Sequence, residues 1–383
     1  MRAIPYGHQS IDRKDINEVV RVLKSNWLTQ GPKIKEFENA LCEYAGAKYA
    51  VAVSSGTAAL HIACLAAGIK KGDEVITSPI TFVASANCVL YCGGKPAFAD
   101  IQEDTANIDP EEIKKKITKR TRAIIPVHFA GHPCDLEEIK QIAQKKHSLL
   151  IIEDAAHALG AEYKGSKIGS CKYSDMTIFS FHPVKSITTG EGGAVMTNNR
   201  KLYERLIKFR THGIAKHDFV YGYKGSWYYE MHDLGFNYRI TDIQAALGKS
   251  QLKKLERFIS ARREIAAFYN KAFKDYSGFD VPVEKKGIRS AYHIYPIQLK
   301  GKFIGKRKEI FDRLRNRGLG VQVHYIPVYL HPYYRRNLGF KSGICPAAES
   351  YYSRAISLPL YPSLTNTQVQ AIVRIVKEVF NGE

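Results

Sequence analysis

From Tyr49 to about Thr197 the chain repeats one pattern: a short apolar run, then a stretch whose apolar residues recur at steps of three and four. The runs AVAVS (50–54), DEVITS (73–78), KPAFADI (95–101), RAIIPVHF (122–129), LLIIED (149–154), MTIFSF (176–181) and GAVMT (193–197) read as strands. GTAALHIACLAAG, FVASANCVLYCG, DPEEIKKKI and CDLEEIKQIAQKK, lying between them, read as helices. Strands alternating with helices build βαβ units, so this region is expected to form a mostly parallel sheet covered by helices. The segment 241–273 keeps helical periodicity without a proline and is expected to lead out of that unit. Beyond it, a strand candidate AYHIYPIQL, a basic helix KRKEIFDRLRNRG and a closing helix TNTQVQAIVRIVKEVF form a smaller α+β unit. The 383 residues are thus divided into a large domain over 1–250 and a small C-terminal domain over 251–383.

Charge narrows the class of partner. A formal net charge of +20 favours an anionic one: nucleic acid, acidic membrane or a phosphorylated small molecule. The clusters KKKITKR (114–120) and KGKFIGKRK (300–308) interleave with apolar residues as solvated faces do, and no nucleic-acid motif accompanies them. The reading is therefore a field that draws in a phosphorylated substrate, with neither nucleic acid nor membrane as partner. No apolar run reaches the ~20 residues a membrane helix needs, and MRAIPYGHQSIDRKD lacks a signal-peptide pattern, so a cytoplasmic location is expected. Seven cysteines, without a C-x-x-C pair, read as reduced core thiols and not as a disulfide frame or metal site.

Three stretches carry the chemistry. SSGTAAL (54–60) turns from a strand directly into a helix, leaving the Gly56 and Thr57 N–H groups free either for a phosphate or for ordinary capping. LLIIEDAAHALG (149–160) ends a strand in Asp154, which suits a cation, a metal, a protonated ring nitrogen or a helix cap. In SFHPVKSITTGEGG (180–193), Lys185 follows another strand end, with its glycines on the wrong side for a phosphate loop of the G-x-x-x-x-G-K-[ST] kind. A lysine in a crevice also serves as a nucleophile toward a carbonyl. Pyridoxal phosphate needs a phosphate cradle, a carboxylate for its ring nitrogen and a lysine for its aldehyde; Gly56-Thr57, Asp154 and Lys185 supply all three.

With these motifs in order, and with SNWLTQGPKIKEFE (25–38), SPITFVASAN (78–87), PVHFAGHPCDL (126–136), LGFNYRITDIQAALG (234–248) and SLPLYPSLT (357–365), the sequence resembles the DegT/DnrJ/EryC1/StrS family of pyridoxal-phosphate-dependent sugar aminotransferases. That resemblance implies an α/β fold of the aspartate-aminotransferase type (fold type I). It implies Lys185 as the catalytic Schiff-base lysine, Asp154 as partner of the pyridine nitrogen, and Gly56, Thr57 and Ser180 around the phosphate. Phe82 matches the aromatic residue stacked on the cofactor ring, a position where a core Phe is the alternative. His157 stands where a Gln or His meets the phenolic oxygen, its partner and protonation left open. Asn237 matches a residue that reaches the phosphate of the neighbouring subunit, which implies a homodimer with shared sites. Arg239 is either an anchor for the amino donor's carboxylate or half of a structural ion pair, and His182 either meets substrate or is structural.

Thr29 in LTQGP, and His324 and Tyr325 in HYIPVYLHPYYRR, are candidates for the sugar and nucleotide, because aromatic faces suit such rings. Within the family the motifs are most similar to members that move an amino group, with L-glutamate as donor, to C4 of a UDP-linked 4-keto-6-deoxy-N-acetylhexosamine on the route to pseudaminic acid for flagellin glycosylation. Other nucleotide-linked keto sugars, dTDP- or GDP-linked or of the UDP-bacillosamine type, are the alternative. Dehydratase relatives replace the lysine with histidine, so Lys185 favours transamination over that reaction. A non-catalytic basic regulator is the remaining rival.

Overall fold

The computed structural model describes residues 3–145 and 149–382; the last residue of the CDLEEIKQIAQKK stretch lies outside them. Each of the seven apolar runs forms a strand: β1 (Tyr49–Val53), β2 (Glu74–Thr77), β3 (Lys95–Phe98), β4 (Thr121–Ile125), β5 (Leu150–Asp154) and, after a short hairpin β6–β7 (Glu162–Tyr163, Ser166–Lys167), β8 (Met176–Ser180) and β9 (Gly193–Thr197). They join in one sheet in the order β1-β9-β8-β5-β4-β2-β3. Every neighbouring pair is parallel except the two made by β9, which runs against β1 and β8. The strands are apolar on both sides because both faces are covered. Ala50, Ala52, Ile124 and Ile151 point into one core and Val51, Val53, Ile125 and Ile152 into the other.

Helices α1 (Arg13–Leu23) and α2 (Pro32–Ala45) precede the sheet; α3 (Gly56–Ala66), α4 (Ala84–Tyr91), α5 (Pro110–Lys116) and α6 (Leu136–Lys145) are its crossovers, and α7 (Arg200–Arg210) follows β9. Lys114 and Lys115 of the first basic cluster pair with Glu111 and Glu112 one turn back, the behaviour of a solvated helix face. The cysteines are all free: five are buried, and Cys42 and Cys92 are half-buried. Cys88 lies on α4 with its Sγ 3.6 Å from that of Cys64 on α3. Among the described residues no group of His, Cys, Asp and Glu is arranged to hold a metal, and no helix is long and apolar enough to cross a membrane.

The 241–273 segment is helical and leads out of the sheet unit, as two helices, α8 (Asp242–Leu252) and α9 (Leu255–Ala272). The two meet at a turn through Lys254 (φ −106°, ψ −2°), whose ammonium binds Asp12 at 3.0 Å and also Asp15. Periodicity continues through the turn because both helices bury their apolar faces. Asp15 is fully buried and accepts from Ser250 Oγ (2.7 Å), Gln251 Nε2 (2.7 Å) and the Asp12 backbone N–H (3.0 Å). Asp15→Ala leaves Lys254 with Asp12 alone and takes the acceptor from Ser250 and Gln251, so it is expected to lower stability by about 2 kcal/mol, read from urea unfolding with an unchanged slope.

Helix α9 starts in the sheet's core at Leu255 and ends in a second core at Ile265, Tyr269 and Phe273. That core lies around an antiparallel sheet in which Tyr295–Leu299 pairs with Phe279–Asp280 on one side and Ala355–Leu358 on the other. Helices Arg307–Asn316 and Asn366–Asn381 cover it. The N-terminus joins this unit: Ile4 bridges Leu319 and packs in the second core. A domain division at residue 250 therefore stands as a proposal in which the first residues of the chain pack with the C-terminal unit.

Candidate active site

Parallel strands all end at one edge, and the residues after them face a common crevice. β1 runs out into Ser55, β2 into Thr81 and Phe82, β4 into Val127, β5 ends in Asp154 and β8 in Ser180. With Tyr6 from the N-terminus and His324 and Tyr325 from the C-terminal unit, they line a cleft of about 460 Å³, within the ~300–1,000 Å³ usual for small-molecule sites. Of the candidates read from the sequence, Gly56, Thr57, Phe82, Asp154, His157, Ser180, His182, Lys185, His324 and Tyr325 all line it.

Ser55 is the cap of α3, its Oγ accepting from Ala58 N at 3.0 Å. Capping and an anion cradle therefore coexist, since the N–H groups of Gly56 and Thr57 have no partner within the helix. A Cβ at Gly56 would lie 2.9 Å from Ser180 Cβ, so only glycine lets the helix start come this close to the end of β8. A Cβ at Gly193, the first residue of β9, would meet the Ser55 carbonyl oxygen at 2.5 Å, so the glycines after Lys185 let the returning strand pass the same turn.

Asp154 is buried, and its carboxylate is fixed from two sides: Oδ1 accepts from the Ala156 N–H (3.1 Å) and Oδ2 from Ser85 Oγ (2.6 Å), itself 2.7 Å from Thr81 Oγ1. Burial lowers the Lys185 ammonium to about 8; the negative charge of Asp154 opposes that shift and Arg262 adds to it. Arg262 is wholly buried and donates to the carbonyls of His293 (3.0 Å) and Leu360 (2.8 Å). Phe82 is 60 % exposed, which sets aside the core reading of that ring and leaves its face open to the cleft. Burial, with Lys185 close by, takes His324 down to about 4 and His157 well below its usual value.

The cleft fits pyridoxal phosphate on observations of its own. It offers free N–H groups at the Gly56 turn beside the Ser180 hydroxyl, a buried carboxylate with set orientation and a lysine of depressed basicity. Thr29, Asn237 and Arg239 do not line it within the one chain. Thr29 pairs with Thr241, Asn237 with Thr211 and Arg239 with Val53 in isolated bridges. Thr29 and Asn237 are exposed. Arg239 is half-buried. His182 is exposed at the cleft. Sequence reasoning missed Ser85, which follows Phe82 by three residues in SPITFVAS, and Tyr6 and His293, which had no local signal.

Comparison with known proteins places this geometry. The chain matches the DegT/DnrJ/EryC1/StrS aminotransferase family over residues 9–377. It is 46% identical to an uncharacterized protein of Methanocaldococcus jannaschii over 98% of this chain and 97% of that one. It is 43% identical to the UDP-4-amino-4,6-dideoxy-N-acetyl-beta-L-altrosamine transaminase of Campylobacter jejuni (94% of this chain, 93% of the relative) and 38% to the GDP-perosamine synthase of Escherichia coli O157:H7 (100% of each). The structure of Helicobacter pylori PseC, described as an aminotransferase of pseudoaminic acid biosynthesis, superposes with a TM-score of 0.93 at 38% identity over 100% of both chains. A putative sugar aminotransferase of Streptococcus pneumoniae in its PLP form superposes at 0.92 with 32% identity, covering 99% of each chain.

Proposed function

The chain belongs to the DegT/DnrJ/EryC1/StrS aminotransferase family, and from that premise we propose that it moves an amino group from L-glutamate to C4 of a UDP-linked 4-keto-6-deoxy-N-acetylhexosamine, on the route to pseudaminic acid. Sugar aminotransfer and use of pyridoxal 5′-phosphate follow from the membership itself. The UDP sugar and C4 rest on the altrosamine transaminase and PseC relatives. The observation that carries the assignment of the site is Lys185, of lowered basicity, sharing one cleft with the oriented carboxylate of Asp154.

In this reading the Gly56 and Thr57 N–H groups and the Ser180 hydroxyl hold the phosphate, Phe82 covers the ring face, and Asp154 accepts from the ring nitrogen and keeps it positive. When bound, the cofactor supplies an aldehyde that accepts the donor's nitrogen and a ring that takes up the electrons released at the donor's α-carbon. Lys185 Nζ removes the proton from that α-carbon and, in the second half, delivers one to the sugar carbon that bears the new amine. Ser85 and the Ala156 N–H keep Asp154 aimed throughout. Thr29, His182, His324 and Tyr325 are proposed to meet the sugar nucleotide, and Arg239 the carboxylate of glutamate. Exposed Asn237 completes the phosphate site of a second copy, and the exposed rings of Tyr221 and Trp227, earlier in the same stretch of chain, support a homodimer.

The GDP-perosamine synthase relative favours a second reading, a GDP-linked keto sugar. Formation of 2-oxoglutarate from glutamate with UDP-, dTDP- and GDP-linked 4-keto sugars separates the two. The proposal expects turnover with the UDP sugar at least tenfold above the others, and turnover confined to GDP or dTDP sugars refutes it. A further expectation concerns pH. Only the neutral amine attacks an aldehyde, so the rate at which the cofactor-free protein captures pyridoxal phosphate should rise with pH and reach half its plateau near 8, where burial places the Lys185 ammonium. A stopped-flow absorbance series from pH 6 to 11 reads it; a midpoint near the ordinary lysine value contradicts a buried nucleophile.

A further inference from the structure

The stretch 81–85 runs from the edge after β2 into the first turn of α4, and it brings more to the cleft than the ring of Phe82. Thr81 and Ser85 are both buried. Thr81 Oγ1 lies 2.7 Å from Ser85 Oγ, and Ser85 Oγ lies 2.6 Å from Asp154 Oδ2. The three oxygens thus form a chain from the loop, through the helix, to the end of β5. Thr81 makes no hydrogen bond to Asp154; among the described residues its hydroxyl has Ser85 as its one hydrogen-bond partner. The other acceptor near the Ser85 hydroxyl is the Phe82 carbonyl at 3.3 Å, which already accepts from the Ser85 backbone N–H at 3.2 Å.

Each hydroxyl has one hydrogen to give, and a carboxylate only accepts. A chain with every hydrogen matched therefore runs one way, from the Thr81 O–H to Ser85 and from the Ser85 O–H to Asp154. Run the other way, Ser85 gives its hydrogen to Thr81, the buried Thr81 hydrogen has no acceptor, and Asp154 Oδ2 loses its donor. Buried polar groups are overwhelmingly paired, and a bond to a charged acceptor is about twice as strong as a neutral one, so both rules favour the first direction. Donors in a chain also polarise one another, which strengthens the bond that ends it. The geometry points to Thr81 as a positioning residue that acts at one remove: by donating to Ser85 it turns the Ser85 hydrogen onto Asp154 and holds that carboxylate toward its cationic partner. The identity of the partner rests on the cofactor site proposed above; the direction of the chain does not.

Neutron diffraction from the deuterated, cofactor-free protein reads the direction without any substitution. The expected map has the Thr81 deuterium on the line to Ser85 Oγ and the Ser85 deuterium on the line to Asp154 Oδ2. A Ser85 deuterium aimed at Thr81 or at the Phe82 carbonyl overturns the inference. Substitutions test the consequence in the loaded enzyme. Ser85→Ala removes a hydrogen bond to a charged group and is expected to lower kcat about tenfold, with KM for the keto sugar unchanged. Thr81→Val, of nearly the same shape, should lower kcat about threefold, and Thr81→Ser, which keeps the hydroxyl, should restore it. Because Thr81 acts through Ser85, the double variant should be no slower than Ser85→Ala alone. Losses that multiply in the double variant, a Thr81→Ser as slow as Thr81→Val, or an effect confined to KM overturns the inference. Should a variant not fold, the neutron map decides alone. Failure of the aminotransferase reading would instead appear as no turnover in the unsubstituted protein, with the map still as inferred.

Discussion

Lys185→Ala is expected to lower turnover by about four orders of magnitude or more, because one amine both anchors the cofactor and moves the proton, and general acid–base catalysis alone contributes about 10²–10⁴. Folding should survive: the Lys185 side chain makes no hydrogen bond or ion pair among the described residues, and its removal relieves a buried ammonium that burial already disfavours. The check pairs steady-state formation of 2-oxoglutarate with a thermal melt. Lost activity with a retained melt supports the role, whereas activity within tenfold of the unsubstituted enzyme moves the chemistry to another residue.

Asp154→Asn is the second large effect. It keeps the shape and the Ala156 N–H bond but removes the negative charge and puts an amide where Ser85 Oγ now donates. The loss of an oriented charge from a site that stabilises developing charge costs roughly 10²–10³ in turnover. The sign of a second readout is set by the charge. Asp154 supports the Lys185 ammonium, so without it the lysine falls below about 8, and the midpoint of cofactor capture moves to lower pH while turnover collapses. A midpoint that rises instead contradicts the electrostatic coupling.

The sheet and most of the cleft were legible in the sequence for a physical reason. Doubly covered strands are apolar along their whole length, and parallel strands put their last residues at one edge, so LLIIED and MTIFSF announced both a strand and a site. Gly56 was legible as part of a turn, but that its missing Cβ makes room for Ser180 depends on contact between β1 and β8 ends, which no local pattern encodes. The turn between α8 and α9 was hidden because the apolar spacing runs through it, and the partners of Lys254, Asp12 and Asp15, lie far away in the chain. Tyr6, His293 and the Tyr325–His157 hydrogen bond arise where the N-terminus and the C-terminal unit close over the sheet, at sequence separations beyond any periodicity. Thr29, Asn237 and Arg239 carried motif information without local geometry, and a single chain places them outside its own cleft.

The most direct measurement is to load the protein with pyridoxal phosphate, reduce with borohydride, digest, and locate the retained cofactor by mass spectrometry. A single modified lysine, Lys185, in the peptide that contains SFHPVKSITTGEGG is the predicted result. Retention on any other lysine, or none at all, would contradict a catalytic lysine in this cleft.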